Sequence, residues 1–177
     1  HRRQRQMCIR DRNYPWWHLL HDLLTGRSVT GVLHLLNKMP SQWYSKKQGT
    51  VETATYGSGF VAACVATEQI IDLRLTLRYL GVPLNDKVYM FGDNKSVVTS
   101  GSLPQSKLNK RHTALSFHRV REAVASKMLS FIHIPGKINP ADILSKHWSN
   151  HKVWVALQPL LFWEGNTLNC YSQKREN

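Results

Sequence analysis

Acidic side chains are scarce in this sequence. There are 11 Asp and Glu against 24 Lys and Arg, a formal charge of +13 over 177 residues. That balance favours an anionic partner, nucleic acid first and a membrane surface second. Cysteine is nearly absent as well: Cys8, Cys64 and Cys170 are odd in number and far apart. They form neither a disulfide framework nor a CxxC zinc pair, and this fits a reducing compartment. Long apolar runs are missing too. Nothing approaches the roughly 20 residues of a membrane span. No charged start, apolar stretch and small-residue cleavage site follow one another as in a secretion signal. What remains is an ordinary apolar fraction of 42%, enough for one globular domain with a sizeable core.

The positive charge is uneven. Residues 1–12, HRRQRQMCIRDR, hold five Arg and one Asp; without their net +4 the rest keeps +9. Residues 1–13 lack periodicity and read as a disordered or non-native basic arm. Residues 14–148 carry the domain pattern, and 149–177 form a tail that is aromatic and then polar.

Within the domain, residues 28–37 are rich in Val and Leu and predict a strand. Pro40 lies in a turn, and residues 41–47 alternate around Trp43 and Tyr44, which gives an antiparallel hairpin. A long helix is expected from about Gln48 to Tyr79, with Val61, Val65, Ile70, Leu73, Leu77 and Leu80 at near-helical spacing and Gly81 and Pro83 as its stop. KVYMFG (87–92) predicts a strand, Asp93-Asn94 the start of a short helix, and 109–127 a second amphipathic helix. Residues 129–135 alternate as another strand, and Pro140 opens a last helix in ADILSKHW. The fold class is α/β, a mixed sheet with helices on its faces.

Two acids stand out by position. Asp93 ends a strand and begins a helix, the place in an open α/β sheet where ligands gather. Asp142 lies in the first turn of the last helix. Brought together, they would bind a hard divalent cation such as Mg²⁺; as separate residues, each simply caps a helix. Two basic clusters are candidate nucleic-acid contacts: Lys46-Lys47 before the long helix, and Lys110-Arg111-His112 at the start of another. The alternative for each is a solvated basic face. The histidines show no zinc spacing with cysteine, and Ser96 and Ser145 have no His–Asp relay. The six Trp read as core or interface rather than as base-stacking platforms.

The segments GRSVTGVLHLLNKMPSQWYSKKQGTVETATYGS, YMFGDNKSVV, LNKRHTALSFHRVREAVAS and INPADILSKHW, in this order, resemble the ribonuclease H domain that ends a copia-type retrotransposon polyprotein. The resemblance runs from about His21 to Thr167. It implies a ribonuclease H-like fold, a mixed five-stranded sheet whose first three strands are antiparallel, with helices on both faces. It also implies cutting of RNA in RNA–DNA hybrids, with four carboxylates holding two Mg²⁺ ions, and a reverse transcriptase portion of the same polyprotein as partner. It implies no membrane partner, and it places the chain in cytoplasmic element particles.

By motif, Asp93 matches the third carboxylate and Asp142 the fourth. The second, a Glu in the family's TATYGSEF, is Gly59 here, in TATYGSGF. The first, an Asp eleven residues before the position of Arg27, is Trp16, so strand one reads as damaged. Asp22, six positions after Trp16, is the nearby acid that could substitute. With two of four carboxylates missing, Mg²⁺ binding is expected to be weak or lost and the nuclease degenerate. The alternatives are a non-catalytic nucleic-acid-binding module and a functionless element remnant.

Overall fold

A computed structural model describes residues 6–10, 27–36, 39–49, 51, 55–108, 111–145 and 153–154, the first of these as backbone. Trp16, Asp22 and Lys110 lie outside the described residues. The chain divides into two compact units, His1–His147 and Trp148–Asn177.

The first unit is built on a sheet of five strands in the order β3-β2-β1-β4-β5. β2 (Val29–Leu36) and β3 (Met39–Lys47) are the expected antiparallel hairpin, with a register shift between His34 and Leu35. β4 is Val88–Gly92 and β5 is Leu129–His133, parallel to each other. The central strand, β1, is Gln6–Arg10. It pairs antiparallel with β2 and parallel with β4. This departs in one respect from the reading of residues 1–13 as a disordered or non-native arm: residues 6–10 are ordered in the sheet. Five residues are too short for a periodicity signal, but Met-Cys-Ile at their centre suits a strand paired on both sides.

Helix α1 is Thr55–Tyr79. The sequence predicts a start at Gln48, but Gln48 lies between β3 and the helix and is buried. Its backbone N–H donates to Ser28 O (2.8 Å), and its side-chain Nε2 donates to Thr30 Oγ1 (2.9 Å) and to Ser58 O (3.1 Å). It therefore ties the start of β2 to the start of α1. The buried face of α1 also differs from the expected one. Gly57, Ser58, Gly59, Phe60, Ala62, Ala63, Ala66, Thr67 and Ile70 are buried, whereas Val61 and Val65 are only partly covered and Leu80 is exposed. Small side chains let the helix lie close to the sheet, so the tight contact runs along a stripe that a search for large apolar residues passes over.

α2 is Lys95–Ser102, longer than the sequence signals, and α3 is Ala114–Ala125. Residues Arg111–Thr113 form a 3-10 turn before α3, so Arg111 and His112 do not open the helix as expected. Phe60 of α1 meets Phe117 of α3 edge-to-face at 5.3 Å, and both are enclosed with Val32, Met90, Val120 and Leu129 in one core. Side chains alternate across a strand. Val32 and His34 thus face α1, where His34 bonds Gln69 at 2.7 Å, and Gly31 faces the opposite side. There the short helix α4 (Asp142–Ser145) is docked. Trp43 on edge strand β3 is 68% exposed, contrary to a core reading for it.

Candidate functional site

Asp93 directly follows β4. Gly92 precedes it because the ring of Phe131 crosses over that position: a Cβ there would lie 2.9 Å from Phe131 Cε2. Asn94 then holds the turn in two directions. Its Oδ1 accepts from Val97 N (3.3 Å) and caps α2. Its Nδ2 donates to Thr55 O at 3.1 Å, which fastens the turn to the first residue of α1. His133, the last residue of β5, places Nε2 3.2 Å from Asp93 O and donates to it when that nitrogen carries the proton. Asp93 is therefore fixed from β4, α1 and β5 together.

Asp142 is buried at the start of α4. Asn139 shapes the entry: its Oδ1 accepts from Ala141 N (3.1 Å), and its carbonyl accepts from Asp142 N (3.1 Å). Ser145 Oγ donates back to Asp142 O at 3.2 Å. The helix is seated on the hairpin by two features. Ser45 Oγ donates to Leu144 O at 2.6 Å. Gly31 leaves room for the helix backbone, since a Cβ there would come within 2.9 Å of Ala141 O and 3.0 Å of Leu144 Cβ.

The registers place these groups at one end of the sheet. Gly31 of β2 pairs with Arg10 of β1, and Ile9 pairs with Gly92 of β4. Asp142 stands beside Ala141, over Gly31, while Asp93 stands one residue past Gly92. The β1 position between them belongs to the segment Gln-Met-Cys-Ile-Arg, which holds no acid. Gly59 lies one turn into α1 from Thr55, on the buried face, and contributes no side chain. Lys46 pairs with Thr30 and Lys47 with Val29, so both basic residues lie at this same end of the sheet, as does Arg27 just before β2. Arg111 and His112 sit on the separate turn before α3. The positioning roles of Gln48, Asn94 and His133 are not signalled by spacing; the SKKQ and DNKS runs hold the first two without showing what they bind.

Compared with solved structures, the chain is similar to ribonuclease H domains. Ribonuclease H1 of Halobacterium salinarum aligns with TM-score 0.57 at 14% identity, over 80% of this chain and 94% of that one. The LC11 ribonuclease H1, solved in complex with an RNA/DNA hybrid, aligns with TM-score 0.55 at 16% identity, over 80% and 93%. The N-terminal ribonuclease H domain of a Mycobacterium tuberculosis protein aligns with TM-score 0.52 at 13% identity, over 88% and 97%. The chain thus has the ribonuclease H fold.

Sequence comparison finds two polyproteins similar to this chain. The chain is 29% identical over 126 residues to the retrovirus-related Pol polyprotein of transposon TNT 1-94 from Nicotiana tabacum, covering 71% of this chain. It is 25% identical over 119 residues to that of transposon RE2 from Arabidopsis thaliana, covering 67%. It spans 9% of the first polyprotein and 8% of the second. No family model matches it.

Proposed function

We propose that this chain is the ribonuclease H portion of a copia-type retrotransposon polyprotein. It partners the reverse transcriptase portion in cytoplasmic element particles, and it grips RNA–DNA hybrid without cutting it. The observation that carries the reading is Gly59. Two-metal hydrolysis needs anionic oxygens on both sides of the scissile phosphate. The inner face of α1 offers none at this position, and the strand between Asp93 and Asp142 offers none either. Among the described residues, no three His, Cys, Asp or Glu side chains group closely enough to hold an ion. Asp93 and Asp142 are donors for one weakly held Mg²⁺ at most, so the donor set does not fit a two-ion centre.

Binding makes smaller demands. Arg27, Lys46 and Lys47 gather at the site end of the sheet, and the charge outside residues 1–12 is +9. Such groups hold phosphates without reading sequence. Among the described residues no helix is long and apolar enough to cross a membrane. The test pairs a binding and a cleavage assay on one labelled RNA–DNA hybrid. Expected are salt-sensitive binding and no release of short RNA in Mg²⁺. Cleavage that a chelator stops and Asp93→Asn abolishes would overturn the reading.

A further inference from the structure

At the far end of the sheet from Asp93, the last turns of α1 carry two ridges. Arg74 and Arg78 stand one turn apart, as do Leu75 and Tyr79, so a basic ridge runs beside an apolar one. A cavity of about 510 Å³ opens against them, with Val82, Leu84 and Met128 among its apolar walls. Its geometry is fixed from both sides. Gly81, at φ 72, reverses the chain, and Val82 N donates to Leu77 O at 2.9 Å. Arg74 donates to Asp86 O (2.9 Å) and Leu84 O (3.5 Å), which pins the loop to the helix. These acceptors are neutral carbonyls, and neither guanidinium has a carboxylate partner among the described residues. Beside the cavity, Leu75, Tyr79 and Leu80 are 59%, 91% and 66% exposed.

Arg78 in a last helical turn complements the helix dipole and needs no further explanation by itself. Three large apolar side chains open to water next to it do need one, because contiguous exposed apolar surface marks interaction sites. We propose that this cavity docks a segment of a partner protein in which a large apolar side chain is followed closely by a carboxylate. The cavity volume suits one such side chain with its backbone. Arg78 takes the carboxylate in a charge-assisted, two-pronged hydrogen bond, and Tyr79 and Leu80 extend the apolar contact. A nucleic-acid strand fits less well, since a phosphate backbone has no use for the apolar walls.

The test uses the full ¹⁵N-labelled chain and two peptides: acetyl-leucyl-phenylalanyl-aspartyl-glutamate amide and its counterpart with asparagine and glutamine in place of the acids. The acidic peptide should shift the amide signals of Arg78, Gly81, Val82 and Met128 and leave those around Asn94 unmoved. The neutral peptide, and the acidic peptide on Arg78→Gln, should bind about tenfold more weakly, the worth of one charge-assisted hydrogen bond. Leu75→Asp should weaken both peptides. Circular dichroism of each variant shows whether it is folded, and the two exposed sites give independent readings. Equal binding of the two peptides would overturn the proposal. So would displacement of the acidic peptide by single-stranded DNA, or the same shifts appearing on concentration without peptide, which would mark a contact between two copies.

Discussion

The proposed absence of cleavage rests first on a glycine. Gly59 is buried on the inner face of α1, where the retrotransposon resemblance calls for Glu, and a glycine inside a helix also costs about 1 kcal/mol relative to Ala. Gly59→Glu alone should therefore leave hybrid cleavage absent, because the strand between Asp93 and Asp142 still holds no acid. The first carboxylate, the one expected on strand one, has two candidate addresses. The register puts Arg10 beside Gly31 and next along from Ile9, level with Asp93, whereas the motif spacing points to Trp16. Gly59→Glu with Arg10→Asp is expected to restore Mg²⁺-dependent release of short RNA. Rescue by Trp16→Asp in its place would show that residues near Trp16 fill the central strand. Gly31 is a second decisive glycine, since the atom a Cβ would strike is backbone. Gly31→Val should lower stability by about 1–3 kcal/mol, the usual cost of overpacking, as read from urea unfolding. The sequence shows Gly59 as a departure from the motif, but it does not show Gly31 as the floor under α4, because the contact spans more than a hundred residues.

Among the elements, the hairpin, the strands β4 and β5 and the turn at Asp93 were legible, since each has a short local signature: alternation, or a strand ending in Asp-Asn. The inner face of α1 was not. Its large apolar residues suggest one stripe, and its Gly, Ser and Ala residues form the one that packs. The start of α1 at Thr55 is hidden from the sequence for a related reason. Gln48 is held by Thr30 and Ser58 in the folded chain, and no local pattern encodes a tie between two elements. The contact of β2 with α1 through His34 has a consequence for stability. Burial lowers the pKa of His34 below 6.5, and the hydrogen bond to Gln69 opposes this only in part. As pH falls, the unfolded chain takes up this proton before the folded one does. The contribution of neutral His34 is therefore complete above pH 6.5 and is lost as pH falls from there through the lower folded-state value. Urea midpoints measured at pH 7.5 and 5.0 should differ more for the unaltered chain than for His34→Gln. An equal difference in both would remove His34 as the cause.

For the molecule as a whole, charge was the most legible property. A sequence carrying 24 basic and 11 acidic side chains favours an anionic partner before any fold is known. The location of that charge was less clear. Lys46 and Lys47 reach the site end of the sheet only through the register of β3 with β2, and Arg111 and His112 sit on the separate turn before α3. Affinity for hybrid duplex should fall linearly with salt on a logarithmic plot. Lys46→Glu with Lys47→Glu should flatten the slope by about 1.8, at about 0.9 for each phosphate that is no longer neutralised. Lys110→Glu with Arg111→Glu tests the second cluster in the same way. Fluorescence anisotropy across a salt series measures both, and a slope that neither pair alters would assign these residues to a solvated face.

The hydrogen bond from Ser45 to Leu144 closes a span of 99 residues. In the order of synthesis, the hairpin and α1 emerge long before the segment that brings Asp142. A nascent domain therefore passes through a stage at which Gly31 and its neighbours on that face of the sheet are open to water, and loop closure over such a distance is slow compared with helix and hairpin formation. The last piece of the domain to be made is the one that covers the first hairpin, so a ribosome that stops a few codons short of Asp142 releases a chain with most of its core and no lid over β2.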